Sequence, residues 1–339
     1  MQAMKTKTWL PLVVLVLLGS GWRVVCAEES KPVIAVVTAD HIDFLVGKDL
    51  VGRYHLGKDN AKPYFWPLLD AAGTPLTRDW PMTKAQPHGS SDHPHQKSAW
   101  FTHGDVIAEG IEPMPKVKGI AGVDFWAEAR GHGQTVCTQV ETPKLADNRA
   151  DVTTHNEWRA ADGHKIMDET RVLHLYNFGH TRLFVVDIDL LASAAAITFG
   201  DTKEGSFGVR INDQLREQGG KGTLENADGK VGEKNCWGQK SAWCDYSGPL
   251  GGKTVGLTIF DDPHNPYPAC WHSRGYGLMA ANPFGRSHSG FPAMQGRTDL
   301  VRIPKGEHLK LRYGLLLHPG NARDGKVAEY YEQFKKLRD

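Results

Sequence analysis

Eleven of the sixteen histidines fall between positions 41 and 180. The densest group is Asp92-His93-Pro94-His95-Gln96-Lys97-Ser98-Ala99-Trp100-Phe101-Thr102-His103-Gly104-Asp105, with three His and two Asp in fourteen residues. Imidazole titrates near neutral pH and is the commonest side-chain ligand of transition metals. The cluster therefore suits general acid–base chemistry or a divalent metal at His93, His95 and His103. On an extended segment His93 and His95 point to one face, and Pro94 favours extended backbone. His103 joins them if a turn intervenes. His-x-His alone does not choose between metal and proton transfer, and a hydrogen-bonded loop with partly buried His would show the same density.

Three further groups bear chemistry. Residues 198–210 concentrate Asp201, Glu204 and Arg210 among glycines that let a ligand approach the backbone. A carboxylate beside an Arg suits sugar hydroxyls or the acid group of a substrate, and also an ordinary surface ion pair. Residues 232–248 place Trp237, Trp243 and Tyr246 beside Asn235 and Asp245. A flat apolar ring with polar neighbours is what a sugar pocket uses, with Trp237 and Asp245 as candidate contacts. Residues 271–278 bring His272 and Arg274, which share parity on an extended segment, and Asn282-Pro283-Phe284-Gly285 follows. His318 falls on the parity of Lys310 and Arg312, which predicts a polar surface. No Gly-rich phosphate loop, nucleophile elbow or His-Glu-x-x-His helix occurs.

Strands must position these groups. Leu309, Leu311, Tyr313, Leu315 and Leu317 alternate with other residues at period two, as do Phe184, Val186, Ile188 and Leu190. Residues 253–260, 171–175 and 150–159 also read as extended. Turn signals separate them at Asp162-Gly163, 177–179, Asp228-Gly229 and Gly251-Gly252. Residues 107–122 read as a surface loop. One helix is predicted over 324–338, capped by Asp324. There Val327, Tyr330, Tyr331, Phe334 and Leu337 recur at helical spacing, making a latch that packs on a sheet. The expectation is an all-β chain: a large antiparallel β-sandwich with a C-terminal helix.

The 40 basic and 39 acidic residues leave a net charge of +1, without the basic face that nucleic-acid binding needs. Forty per cent hydrophobic residues and ten Trp exclude disorder, while 37 Gly and 19 Pro favour turns over long helices. Residues 1–27 read as a cleavable signal peptide. Lys5 and Lys7 precede the apolar run 9–18, and Val25-Cys26-Ala27 forms the cleavage site. The apolar run is short for a bilayer span. Its loss removes three basic residues and no acid, so the mature chain carries −2. Secretion or periplasmic export is predicted, with no membrane association after cleavage. Export leaves Cys137, Cys236, Cys244 and Cys270, enough for two disulfides, with free buried thiols as the alternative. No linker divides 28–339, which reads as one domain.

Several motifs in order carry a resemblance to a known family. They are Tyr64-Phe65-Trp66-Pro67-Leu68-Leu69, residues 92–104, Gly122-Val123-Asp124-Phe125-Trp126, residues 200–210, residues 232–238 and Asn282-Pro283-Phe284-Gly285. The chain resembles, over about residues 33–320, the exported bacterial PmoA-like family labelled "methane oxygenase PmoA", a domain of unknown function. It departs from that pattern at His95-Gln96-Lys97, where the family often has His-His-Arg, and in a longer 107–122 loop. The resemblance implies a galactose-mutarotase-like supersandwich, in which sugars bind on an open sheet face. Methane oxidation in a membrane is physically implausible, because no spanning segment follows the signal peptide. The reading is an exported carbohydrate-active enzyme, a hydrolase, lyase or epimerase. His93, His95 or His103 and Glu204 would exchange protons, while Asp201, Arg210, Trp237, Asp245, His272 and Arg274 would hold the sugar. The alternatives are a metal-dependent oxygenase or hydrolase using the His cluster, and a non-catalytic glycan-binding module.

Overall fold

The computed structural model describes residues 31–57, 59–85 and 89–338, so the predicted signal peptide lies outside the described residues. Two large sheets face each other. The first runs Val33–Val37, His41–Val46, Asp49–His55, Tyr64–Leu68, Ala99–His103, Gly205–Arg210, Leu278–Asn282 and Cys270–Trp271. The second runs Thr223–Asn226, Trp243–Leu250, Lys253–Asp261, His308–Pro319, Thr181–Leu191, Lys165–Phe178, Arg149–Arg159 and Gln134–Val140, with Lys144–Ala146 beside Arg149–Arg159. A three-stranded sheet joins Val301–Ile303, Ile197–Phe199 and Val106–Ala108. The pairings among these described strands are antiparallel. The expected all-β antiparallel sandwich is what forms. The 107–122 segment begins inside a strand and then runs as a largely exposed loop.

Alternation builds the core. Leu309, Leu311, Tyr313, Leu315 and Leu317 enter one apolar cluster with Phe184, Val186, Ile188 and Leu190 from the neighbouring strand, and with Phe44, Phe65, Phe101 and Phe207 from the facing sheet. Glu169 and Arg171 are buried between the sheets. Arg171 donates to Glu169 Oε1 (2.5 Å) and to the Tyr54 hydroxyl across the sandwich (2.5 Å), and Trp158 donates to Glu169 Oε2 (2.6 Å). Buried charge is tolerated there because each member finds partners.

The opposite face of the second sheet is also apolar where the C-terminal helix covers it. Leu183, Val185, Phe260 and Leu316 pack with Val327 and Phe334, with Tyr330, Tyr331 and Leu337 at the margin. The latch forms, but it spans Val327–Phe334 rather than 324–338. Asp324 does not cap it. Lys326 occupies the cap position in left-handed conformation (φ 53°), and the Asp324 amide is tied to Asn321 Oδ1 (2.8 Å) in the preceding turn.

None of the four described cysteines is bonded to another; all are free thiols. Cys236 and Cys244 both lie in the apolar core, so the pair serves as packing and not as a loop-closing bridge. His318 is another correction. It is fully buried, with Nε2 2.9 Å from Asp245 Oδ1. Its strand continues past the exposed Lys310 to a stretch covered by the turn at Gly325, and parity no longer means solvent there.

Phe334 makes the latch testable. Phe334→Ala should cost about 3 kcal/mol through the cavity it leaves. Denaturant unfolding of the full chain measures this; an unchanged midpoint would mean the helix contributes nothing to the sandwich.

Candidate functional site

Three adjacent strands of the first sheet, Ala99–His103, Gly205–Arg210 and Leu278–Asn282, are buried on both faces. Their inward residues are Ala99, Phe101, Phe207, Val209, Met279 and Ala281. Outward, Trp100, Leu278 and Ala280 pack under Trp126. A Cβ at Gly208 would lie 2.9 Å from the Trp100 ring and 3.0 Å from the Trp126 ring, so glycine lets both indoles lie on the strand. Arg210 ends this outward row and is fully buried.

Arg210 and Arg78 together hold the His-rich segment. Asp92 Oδ1 accepts from Arg78 Nη1 (2.8 Å) and Arg210 Nη2 (2.7 Å), while Asp92 Oδ2 lies 2.8 Å from His93 Nδ1. Arg78 also donates to the carbonyls of Asp92 (3.0 Å), His93 (3.1 Å) and Gln96 (3.2 Å), and Arg210 Nη1 donates to Gln96 Oε1 (2.7 Å). The segment is a turn, not the extended strand predicted from Pro94. His93 has φ 47°, and the Gln96 amide donates to the His93 carbonyl (3.0 Å). The arginines require carbonyls converging on one side, which an extended strand cannot offer. Burial opposes ionisation of Asp92, but Arg210, His93 and Arg78 outweigh it and hold the carboxyl below its ordinary range. The His93 ring stacks on Tyr276 (5.1 Å, 12°), and the Arg210 guanidinium lies over Tyr276 at 4.5 Å. With Nδ1 tied to Asp92, Nε2 is the nitrogen left for proton exchange.

His93 opens onto a cavity of about 260 Å³, lined also by Lys203, Glu204, Gln218, Glu233, His272, Arg274 and Tyr276. Four separate sequence motifs meet there. The Glu204 carboxyl makes no hydrogen bond among the described residues, and burial pushes its pKa up. Its backbone is fixed instead: the amide donates to Thr202 Oγ1 (3.2 Å), and the carbonyl accepts from Gly104 (2.7 Å). Arg274 pairs with Glu233 (3.0 Å) and lies over the Trp237 ring at 4.0 Å. His272 is buried edge-on to Trp237 (5.0 Å, 77°). Burial first, and Arg274 second, push its pKa down to about 3, so the ring is neutral.

Other predicted residues fall elsewhere. His103 shares the inward parity of Ala99 and Phe101. It is fully buried between Phe199 and Phe284, with Nε2 2.8 Å from the Gly200 carbonyl, and burial lowers its pKa to about 4. His95 stands 5.7 Å from the His93 ring, outside the cavity lining. Asp201 accepts from the amides of Arg286 (2.6 Å), His288 (2.6 Å) and Ser289 (3.0 Å) and from the Ser289 hydroxyl (2.5 Å). It pins a loop instead of a ligand. Asp245 is fully buried against His318 and Thr258. Arg210 acts through Asp92, and Trp237 has a ring face covered by Arg274. Among the described residues no group of three or more His, Cys, Asp or Glu is arranged to hold a metal ion. Sequence reasoning missed Arg78, Gln218 and Tyr276. Only the glycines flanking Tyr276 marked its position.

Three larger clefts have tied carboxylates; in one of about 370 Å³, Glu109 pairs with Arg302 and Glu112 with Lys116. In one of about 890 Å³, Asp79 accepts from Trp66 Nε1 and Asp213 from Ser90. In one of about 590 Å³, Asp187, Asp189 and Asp262 are all in ion pairs. Among the described residues lining these four cavities, Glu204 is the carboxyl left unpartnered, which makes the smallest of the four the candidate site.

The buried rings make a stability prediction. The ordinary His pKa is about 6.5, and the folded values are about 4 for His103 and about 3 for His272. The unfolded chain therefore binds more protons in that window. Stability present above about pH 6.5 should decline as pH falls through it. Unfolding midpoints at about pH 7 and pH 5 test this, alongside ring ¹⁵N shifts. Imidazolium signals from either His at the lower pH would contradict it.

In fold, the chain is similar to galactose 1-epimerase from Lactobacillus acidophilus, with 9% identity and TM-score 0.38 over 86% of this chain and 100% of that one. It is similar to a galactose mutarotase-like protein from Clostridium acetobutylicum, with 10% identity and TM-score 0.39 over 87% and 100%. A third likeness is to the GH36 α-galactosidase AgaA of Geobacillus stearothermophilus, with 7% identity and TM-score 0.40 over 86% and 41%. The chain spans about two fifths of the length of the α-galactosidases it matches. Likenesses at this level carry no argument about ligand or activity. No curated protein matches in sequence. None of these findings bears a methane-oxygenase label. Residues 41–332 do match one family along nearly the whole described chain, and the protein belongs to it: the family of unknown function DUF6807.

Proposed function

We propose that this protein is a carbohydrate-acting enzyme in which His93 is the general base and Glu204 the general acid. The observation that supports this is their placement: an imidazole fixed by Asp92 and an unpartnered, raised carboxyl line one small cavity. Asp92 orients the ring through Nδ1 and leaves Nε2 to accept a proton, and a carboxyl whose pKa burial raises is suited to donate one. Glu233 is unsuited to pair with Glu204 as the second carboxylate of a glycosidase. Its Oε1 is held by Arg274, and its Oε2 accepts from the Gly275 amide (2.7 Å) and Gln218 (3.1 Å). Proton transfer at a sugar carbon, as in a lyase or epimerase, suits a His/Glu pair better than hydrolysis. His272, Arg274 and Tyr276 would border the ring. Because Arg274 occupies one face of the Trp237 ring, an open stacking platform for a purely binding module has less support.

Glu204→Gln and His93→Gln should each lower turnover by ~10²–10⁴-fold, measured on a panel of plant and bacterial glycans against wild type. Full rates in both variants would remove the pair from the mechanism. We also propose export. Among the described residues no helix is long and apolar enough to cross a membrane. N-terminal sequencing of protein recovered outside the cytoplasm should begin at Glu28; an intact Met1 there would refute cleavage.

A further inference from the structure

We infer that the cavity between His93, Glu204 and Arg274 takes a sugar unit carrying an anionic substituent, a carboxylate or a sulfate ester, and that Lys203 selects it. This rests on the carbohydrate reading of the same cavity. Its basis is the balance of charge around the walls. Arg274 is neutralised by Glu233, both of whose oxygens are engaged. Behind the His93 turn, Arg78 and Arg210 meet Asp92 directly. They also reach Asp213 through the Ser90 hydroxyl, which accepts from both guanidiniums (3.1 and 3.2 Å) and donates to Asp213 (2.6 Å).

Lys203 is left over. It is half-buried, lines the cavity, and its ammonium has no hydrogen bond or ion pair among the described residues. Its backbone is nonetheless pinned. The Lys203 carbonyl accepts from Asn282 Nδ2 (3.2 Å) and from the Gly205 amide (2.9 Å). The adjacent Glu204 is a poor counter-ion, because burial favours its neutral form although Lys203 pulls the other way. A partly desolvated ammonium at the mouth of a small cavity attracts an anion and is left uncompensated by a neutral one. Arg274 beside it has further N–H donors, although Glu233 already offsets its charge. Ionised carboxylates and sulfate esters share the needed chemistry: acceptor oxygens with a full negative charge. A cavity of about 260 Å³ admits one ring with its substituent, not a chain.

The test is calorimetric titration of the purified mature protein with glucuronate, glucose 6-sulfate and glucose, for wild type, Lys203→Met and Lys203→Arg. At least one charged sugar should bind about tenfold tighter than glucose. That gap should shrink with added salt, close in Lys203→Met and largely return in Lys203→Arg. The tighter of the two charged sugars identifies the substituent. Equal binding of all three sugars, or a gap that survives Lys203→Met, overturns the inference and leaves the carbohydrate reading standing. Binding of none of them also overturns it, and the glycan panel then decides the broader reading separately.

Discussion

The grip of two buried arginines on Asp92 is the interaction on which the site depends. Arg78 and Arg210 are almost wholly buried, and each would be costly without a counter-charge. Asp92 meets both through a single oxygen and leaves its second oxygen for His93. One carboxylate thus neutralises the arginines and orients the imidazole. The arrangement is not fully satisfied: the Nε atoms of both arginines are buried without partners. Unmet donors of this kind are tolerated where geometry serves something besides stability.

The grip in turn depends on the order of strands. Arg210 ends one strand; the His93 turn leads into its neighbour, Ala99–His103; Tyr276 precedes the other neighbour, Leu278–Asn282. These three stretches are far apart in sequence and adjacent only in the sheet. The indoles of Trp100 and Trp126 close the outward side of the same strands and seat the fully buried Lys62, which donates to the Trp126 carbonyl (2.9 Å) and Glu128 (3.0 Å). Slipping the Gly205–Arg210 strand by one residue would exchange Arg210 for Val209 on the outward face and dissolve the Asp92 contacts.

Period-two alternation made the long strands legible, since it reports which face is buried. It also carried information that went unused: His103 has the parity of Ala99 and Phe101, and inward parity in a two-sheet core means burial, not ligation. Asp201 and Asp245 look like site residues by type, yet type cannot tell a carboxylate that binds a ligand from one that staples backbone amides or meets a buried His. Arg78 was invisible because its side-chain partners in this segment lie 12–18 residues away, around a turn where Pro94 by sequence favours extended backbone. The convergence of His93, Glu204, His272 and Arg274 was legible only as three separate motifs. Their meeting is a property of the sheet order, which local pattern does not encode.

The carboxylates that line the larger clefts are partnered. That makes two unpaired neighbours in sequence, Lys203 and Glu204, the more informative. Loose surface residues are often unpaired, but these two are half-buried, and their backbone is held on several sides. Asn282 Nδ2 ties the carbonyls of Thr202 and Lys203, its Oδ1 takes the amides of Phe284 and Gly285, and Gly104 takes the Glu204 carbonyl. A fixed backbone narrows the region over which these side chains can seek counter-ions. Lys203 and Glu204 are thus set side by side at the cavity by a backbone that the fold fixes, with no partner for either side-chain terminus among the described residues, which is the arrangement that a ligand from outside the chain would complete.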